Sequence, residues 1–458
     1  MTLSRRTFLK STAVFAQLGW LPMTARSATQ SPYQLVADKA QKRFITSVDS
    51  VDAEVWAYNG SVPGPVLRYR KGDTLSVEFL NLLDEGSTIH WHGIRNLFAM
   101  DGVAGLTQAP VAPGEKFQYQ FPLADAGTYW YHSHTKAWSQ VARGLYGPLI
   151  VEDDSDPLVD HDLVLMIDDW RLTESGQIDE RSFGSLHDWS HGGRLGNWLT
   201  VNGRSKPILT VGSQSRLRLR IINAANARVF GLQLPLSGQL IAQDGSPCPI
   251  TEVDYVELGP AQRADLIIDI GSEAVTLVET LNGNPITAAT LEPVDPIQAK
   301  VEKTSLSEPR LKLAPTQVDK TIAIRMQGGA MGNLTEAMYD GQVYPLRSLA
   351  MDHRKLWAFN GSVPKDFEKL ASVNRGEVVA LEIWNDTGWS HAMHLHGHHF
   401  WIKNEAGLIE PGQRDTYLFA RGEKASLIFE ADNPGLWLFH CHMFEHHAAG
   451  MGAVIEVS

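Results

Sequence analysis

An internal repeat restricts the fold of this chain more than any other feature of its sequence. A tryptophan followed within a few residues by Asn-Gly occurs in segments 56–60, 198–203 and 357–361. Repetition of this kind is the signature of one structural unit used several times. The spacing between the copies suits three domains of similar size.

Each copy continues into a Gly-polar turn and then a run that ends in asparagine, at Asn81, Asn223 and Asn385. Apolar and polar residues alternate along these runs, which is the period of a β-strand with one buried face. Long helical patterns are scarce, and Gly/Pro turns are frequent. The sequence therefore predicts an all-β chain of three β-sandwich domains.

Polar, proline-containing segments near 153–157 and 303–315 are the predicted linkers. They divide the chain into domain 1 (29–155), domain 2 (156–310) and domain 3 (311–458).

The first 28 residues are typical of an export signal. Arg5 and Arg6 form a twin-arginine pair, and the mostly apolar stretch that follows is too short to span a bilayer. We therefore expect delivery to the periplasm by the twin-arginine export machinery, removal of residues 1–28, and no membrane anchor after cleavage.

The formal net charge of the whole chain is −12. That charge excludes nucleic acid and anionic membranes as partners, because both require a basic face. Only two cysteines are present, Cys248 and Cys441. Counting alone does not exclude a disulfide between them, but the histidines on both sides of Cys441 favour a metal ligand. Cys248 is predicted to be a free thiol in a loop.

Histidine pairs occur at the same offset after the repeated asparagine in the first and third units. The pairs are His90-Trp-His92 and His394-Leu-His396, while the middle unit has Leu232-Gln-Leu234 there. A second match aligns Gly127–His134, which contains His132 and His134, with Gly435–His442, which contains His440 and His442.

Residues i and i+2 of a strand point to one face, about 6.6 Å apart. Four such pairs supply eight imidazoles, and imidazole suits copper, zinc, iron and nickel. If domains 1 and 3 face each other, these side chains meet at one interface. The sequence therefore predicts a metal cluster between the outer domains.

The last motif indicates which metal is bound. On a strand, Cys441 faces away from His440 and His442, toward a second site. His391, His446 and Met451 complete a set of one thiolate, two imidazoles and one thioether, which is the ligand set of a blue-copper site. Zinc would prefer a closed tetrahedral site and has no use for ten histidines in two groups.

These motifs resemble those of the three-domain multicopper oxidases, and the resemblance covers almost the whole mature chain. It implies cupredoxin-like Greek-key β-sandwiches and four copper ions, one type 1, one type 2 and two type 3. The implied ligands are His391, Cys441, His446 and axial Met451 for type 1; His90 and His394 for type 2; His92, His132 and His442 for one type 3 copper; and His134, His396 and His440 for the other.

The resemblance also implies two proton-delivering carboxylates, Asp101 after the first motif and Glu445 after the last. Reduction of O2 to water consumes protons, so acids near the cluster are chemically required.

The resemblance implies O2 and a small reducing substrate as partners of a monomeric enzyme. We expect a phenol or an aromatic amine to give electrons through His446. A cuprous or other metal oxidase is the alternative, although the methionines at 326, 331, 338 and 351 are too dispersed to require it. The intact Cys–His link argues against a non-enzymatic copper-binding protein. His161, His187, His191 and His353 are predicted to be ordinary surface histidines.

Overall fold

The regular structure in this computed structural model is almost entirely β-strand. The structure describes residues 31–47, 49–295 and 301–458, so the predicted export signal lies outside the described residues. The α-helices of the described part are α1 (Ala137–Gln140), α2 (Leu186–Ser190), α3 (Leu346–Ser348) and α4 (Phe444–Ala448). No helix there is long and apolar enough to cross a membrane. The predicted all-β fold class is confirmed.

The first group of strands forms two four-stranded sheets. Its strands are β1 (Tyr33–Lys42), β2 (Ala53–Tyr58), β3 (Leu67–Arg70), β4 (Thr74–Asn81), β5 (Ile89–His92), β6 (Lys116–Pro122), β7 (Gly127–Ser133) and β8 (Tyr146–Glu152). The sheet orders are β2-β1-β4-β6 and β3-β8-β7-β5. Apolar side chains of both sheets, such as Leu75, Val77 and Trp91, form a shared core.

The second group has nine strands. They are β9 (His161–Trp170), β10 (Trp198–Val201), β11 (Ile208–Gly212), β12 (Arg216–Asn223), β13 (Phe230–Gln243), β14 (Ser246–Leu258), β15 (Arg263–Asp269), β16 (Val275–Glu279) and β17 (Ile286–Val294). Strand β13 pairs with β16 near its start and with β15 near its end, and its pairing contains register shifts. A long strand that changes partners in this way joins two layers at a corner, so the group is one continuous nine-stranded sheet.

The third group repeats the plan of the first with two five-stranded sheets. Its strands are β18 (Lys320–Gly328), β19 (Glu336–Tyr339), β20 (Gln342–Pro345), β21 (Trp357–Phe359), β22 (Lys369–Val373), β23 (Val378–Asn385), β24 (His391–Leu395), β25 (Phe400–Asn404), β26 (Thr416–Phe419), β27 (Lys424–Glu430), β28 (Gly435–Cys441) and β29 (Gly452–Val457). The sheet orders are β21-β18-β23-β27-β25 and β22-β29-β28-β24-β26, with β19-β20 as a separate hairpin.

The sequence repeat has a structural counterpart in all three groups. The first strand of each group pairs in parallel with the strand that ends in the repeated asparagine: β1 with β4, β9 with β12, and β18 with β23. The Asn-Gly dipeptides of the three copies all have positive φ at both residues, as a two-residue hairpin turn requires. Three sandwich units are therefore confirmed as the architecture, while the exact domain bounds stay predictions.

The asparagines at the strand ends have the same structural role in all three units. Each is buried, and each amide donates to two main-chain carbonyls: Asn81 to Glu85 and Val111, Asn223 to Arg228 and Leu258, and Asn385 to Trp389 and Ala420, all at 2.8 Å. In the outer groups the anchored loop leads directly into the strand that carries histidines, β5 or β24.

Candidate metal centres

The thiol of Cys441 and two imidazoles converge at the end of β28. Cys441 Sγ lies 3.6 Å from His391 Nδ1 and 3.7 Å from His446 Nδ1, and the two Nδ1 atoms are 3.1 Å apart. His391 begins β24 and His446 lies in α4, so two strands and a helix hold the three ligands. All three side chains are buried. The arrangement provides a closed set of two nitrogen donors and one sulfur donor, of the kind that blue copper uses.

Burial favours the uncharged forms of these donor groups. It raises the pKa of the Cys441 thiol to about 12 and lowers the pKa of His446 to about 4. Neutral imidazoles are ready to bind a metal ion, whereas the thiol must lose its proton when the ion binds.

Met451 is buried beside this triad and is tied to it by its main chain. Its carbonyl accepts a hydrogen bond from Cys441 N, and its own N–H donates to His446 O, both at 3.0 Å. The tight connection from α4 to β29 therefore brings the predicted axial residue back to the two residues it would complement.

Eight buried imidazoles gather between the first and third groups of strands. His90 of β5 is paired across the sheet with His132 of β7, and His394 of β24 is paired in the same way with His440 of β28. His134, His396 and His442 each follow the end of a strand. The structure thus brings together all eight histidines that the two sequence matches single out: His90, His92, His132, His134, His394, His396, His440 and His442.

Outward-facing nitrogens of the cluster are held by oxygen acceptors. The Nδ1 of His90 donates to Asp101 O at 2.8 Å, and that of His394 donates to Asp415 O at 2.7 Å. His132 and His440 donate to the carbonyls of Ser133 and Cys441, both at 3.0 Å. A hydrogen bond at Nδ1 selects the tautomer whose Nε2 lone pair is free to bind a metal ion.

Several other ring nitrogens of the cluster lack hydrogen-bond partners in the described part of the chain. These buried atoms are Nε2 of His90, His134 and His394 and Nδ1 of His92 and His442. In addition, Nε2 of His396 lies 3.0 Å from Nε2 of His440, and Nε2 of His132 lies 3.4 Å from Nε2 of His442.

Buried polar atoms without partners are costly, and facing lone pairs do not bond each other. Metal ions remove both problems, so this donor set fits copper. His134, His396 and His440 have ligand atoms within 4.8 Å of one another, as do His90, His394 and His396. The first of these groups coincides with one predicted type 3 set.

Asp101 contacts two cluster histidines. Its Oδ2 accepts from His396 Nδ1 at 2.7 Å, and its carbonyl accepts from His90. The backbone turn after it depends on Gly102, because a Cβ there would lie 1.7 Å from Ile89 O. Its Oδ1 is buried without a hydrogen-bond partner among the described residues. Asp101 therefore orients ligands and keeps one free carboxylate oxygen.

Glu445 is buried in α4, next in sequence to His446. Its Oε1 accepts from Asn226 Nδ2 at 2.9 Å, and its Oε2 has no partner within the described part. Burial raises the pKa of this carboxyl. The placement of Glu445 is that of an acid screened from bulk water.

A buried ion pair, which no pattern in the sequence predicted, contacts the cluster on its outer side. Arg263 of β15 binds Asp415 through two hydrogen bonds, of 2.7 and 2.6 Å. Asp415 Oδ1 lies 3.2 Å from His92 Nε2, and Thr416 Oγ1 is at the same distance from that atom. Burial by itself would raise the pKa of Asp415, but Arg263 outweighs it and lowers that pKa to about 2.

The middle group of strands has none of the predicted ligands, yet it contacts both centres. Arg263 reaches the cluster through Asp415. His191, which the sequence indicated as a surface residue, accepts a hydrogen bond at its carbonyl from His446 Nε2, at 2.6 Å. No spacing or periodicity in the sequence points to either contact.

Three family models, each described as multicopper oxidase, match residues 39–156, 161–276 and 342–458. A crystal structure of a multicopper oxidase from Pseudomonas thermotolerans is 32% identical and has a TM-score of 0.79, with 93% of this chain and 99% of that chain covered. The chain belongs to the multicopper oxidase family.

Two more relatives of this multicopper oxidase illustrate the range of the family. The structure of Lac15 from a marine microbial metagenome is 34% identical, with a TM-score of 0.74, and covers 93% of this chain and all of that one. The multicopper oxidase MmcO of Mycobacterium tuberculosis is 29% identical over 87% of this chain and 82% of its own length. The chain is therefore a copper-dependent oxidoreductase that uses O2 and a reducing substrate.

Proposed function

We propose that this multicopper oxidase oxidises phenols and aromatic amines one electron at a time and reduces O2 to water. The observation that carries the proposal is the placement of Cys441. Its thiol faces His391 and His446, while its covalent neighbours His440 and His442 belong to the imidazole cluster. The main-chain and side-chain covalent bonds that join Cys441 to His440 and His442 therefore connect the two groups of ligands directly.

The ligands in this proposal are those that the family resemblance implies. The type 1 ligands are His391, Cys441, His446 and Met451; the type 2 ligands are His90 and His394; the type 3 ligands are His92, His132 and His442 at one ion and His134, His396 and His440 at the other. When bound, the copper ions supply one-electron acceptance at the type 1 site and delivery of electrons to O2 at the trinuclear site.

The protein supplies orientation and protons. Asp101 and Asp415 fix the rings of His396 and His92 through their carboxylates, which limits the positions open to the ligand nitrogens. The free carboxylate oxygens of Asp101 and Glu445 are the groups that we propose to hold and pass protons. Four phenol molecules lose one electron and one proton each. One O2 takes up these four electrons and four protons and becomes two waters.

We also propose that the enzyme acts in the periplasm as a monomer without a membrane anchor, after export by the twin-arginine machinery. The support is the Arg5-Arg6 pair and the short apolar stretch after it. Replacement of both arginines with lysine is expected to leave the precursor in the cytoplasm. Periplasmic fractions with normal amounts of mature enzyme would contradict this route.

The decisive assay for the activity compares phenol consumption with O2 consumption by the copper-loaded enzyme. We expect about four phenols oxidised per O2 and no accumulation of hydrogen peroxide, because the four electrons end in water. Two phenols per O2, with peroxide released, would contradict the proposal. Absence of any O2 uptake with phenols and aromatic amines would contradict the donor class.

A further inference from the structure

A cavity of about 490 Å³ lies between the first and second groups of strands. A cavity of this size can hold a small organic molecule. None of the described residues that line it is an aspartate, a glutamate or one of the predicted copper ligands. Most of its wall is apolar, and the apolar side chains include those of Ala40, Val55, Val62, Pro63, Pro148 and Val164.

The cavity is built where the first two copies of the sequence repeat meet. Gly60 of the first Asn-Gly turn and Asn202 of the second both line it. The Asn202 amide donates to Val164 O at 2.8 Å, which fixes the second turn. Gly203 has a φ of +69°, and a Cβ there would lie 2.1 Å from Val62 O. Only glycine allows this close approach, so the two turns form one fixed wall.

Two cationic side chains face this cavity, one from each group of strands. Lys42 ends β1 and is half-buried. Its Nζ lies 3.4 Å from Val62 O and 5.6 Å from the centre of the Phe44 ring. Arg204 directly follows Gly203 and is exposed to solvent. The carbonyl and the ring hold the Lys42 ammonium in place without neutralising its charge.

Neither cation has a counter-charge among the described residues, where no carboxylate lies within 4.0 Å of either one. The nearby Lys39 and Arg43, in contrast, each form an ion pair with a carboxylate. Burial, and then the positive charge of Arg204, lower the pKa of Lys42. The whole chain has a formal net charge of −12, so acidic groups are in excess elsewhere. A bound anion would supply the missing counter-charge.

We propose that this cavity binds a small organic carboxylate, with its charged end between Lys42 and Arg204 and its apolar body against the valines and prolines. A guanidinium presents paired N–H donors that match a carboxylate, and an ammonium adds a compact charge. Because both groups of strands line the cavity, the ligand contacts both and stabilises the folded enzyme. No electron or proton is transferred at this site, which is separate from the proposed oxidation.

The test uses benzoate as the probe and the copper-loaded enzyme at pH 7. Calorimetric titration should show one benzoate per chain, and saturation should raise Tm. Benzamide has the same shape without the charge and should bind at least about 10-fold more weakly. Lys42→Met keeps the apolar stem of the lysine, and Arg204→Gln keeps a polar end. Each should lower the benzoate affinity by about 10-fold or more, because each removes one charge-assisted hydrogen bond.

The matched control is Arg421→Gln, which removes an exposed arginine that does not line the cavity. It should keep the parent affinity for benzoate. All three variants should oxidise phenols at the parent rate, which shows that the fold and the copper sites are intact. An unchanged benzoate affinity in both Lys42→Met and Arg204→Gln would overturn the proposal. Inorganic phosphate that binds as tightly as benzoate, with the same losses, would overturn the organic carboxylate as the ligand class.

Discussion

Replacement of Asp415 with asparagine should lower the stability of the metal-free protein by about 3 kcal/mol. The carboxylate and its partner Arg263 are 1% and 0% exposed, so the change leaves a buried guanidinium without its main counter-charge. Breaking a buried ion pair at one partner costs about 3–5 kcal/mol. We expect the lower end because Arg263 keeps hydrogen bonds to the carbonyls of Thr128 and Ala261 and lies 3.6 Å from Asp244.

Scanning calorimetry of the metal-free protein measures this loss without interference from copper. A cost of about 3 kcal/mol corresponds to a fall in Tm of about 6–12 °C for a cooperative unit of 150–250 residues. The asparagine keeps the shape of the carboxylate, so packing around His92 changes little. A loss of this size would therefore report the charge and not a cavity.

The control is Glu152→Gln, which breaks an ion pair of similar length at the surface. Glu152 and Arg68 are 2.9 Å apart, with side chains 38% and 37% exposed, and such pairs contribute about 0–1 kcal/mol. Its Tm should fall by less than about 4 °C. Equal falls in Tm for the two variants would refute the idea that the buried Arg263–Asp415 pair stabilises the protein around the cluster.

Three further predictions concern the copper centres. Cys441→Ser should abolish the blue absorption band and the oxidase activity, while copper analysis still finds metal at the imidazole cluster; a retained band would exclude Cys441 as the type 1 ligand. Met451→Leu should raise the type 1 reduction potential, because loss of a weak axial donor favours Cu(I), and an unchanged redox titration would remove Met451 from the ligand set. Glu445→Gln should slow reoxidation of the fully reduced enzyme by O2 about 10²-fold, measured by stopped flow, because the amide cannot pass protons. The exposed Glu405→Gln should reoxidise at the parent rate, and equal rates for both would leave Glu445 without a proton role.

Much of the fold follows from local sequence. The period-2 runs that end in Asn81, Asn223 and Asn385 form strands, because alternation fixes which face of a strand is buried. The Asn-Gly turns also form as their composition requires, since both residues must adopt positive φ there. The corner strand β13 was not predicted, because its partner change depends on register shifts and not on its pattern of apolar residues.

The spacing of residues in the sequence determined which side chains share a face. His90 and His92, like His440 and His442, are two residues apart, and Cys441 between the latter pair must face the other way. This alternation follows from the geometry of any extended strand. The sequence alone therefore shows which histidines share a face and that the cysteine points to the opposite face.

Only the tertiary structure determines which residues surround those ligands. Arg263 meets Asp415, Asn226 meets Glu445, and the His191 carbonyl meets His446 across separations of 152, 219 and 255 residues. Such contacts depend on how separate sandwiches pack, and no local pattern records that packing. In the sequence, the middle unit therefore shows no metal-ligand motif. In the folded chain, it contacts the imidazole cluster through Asp415 and covers the site of Cys441.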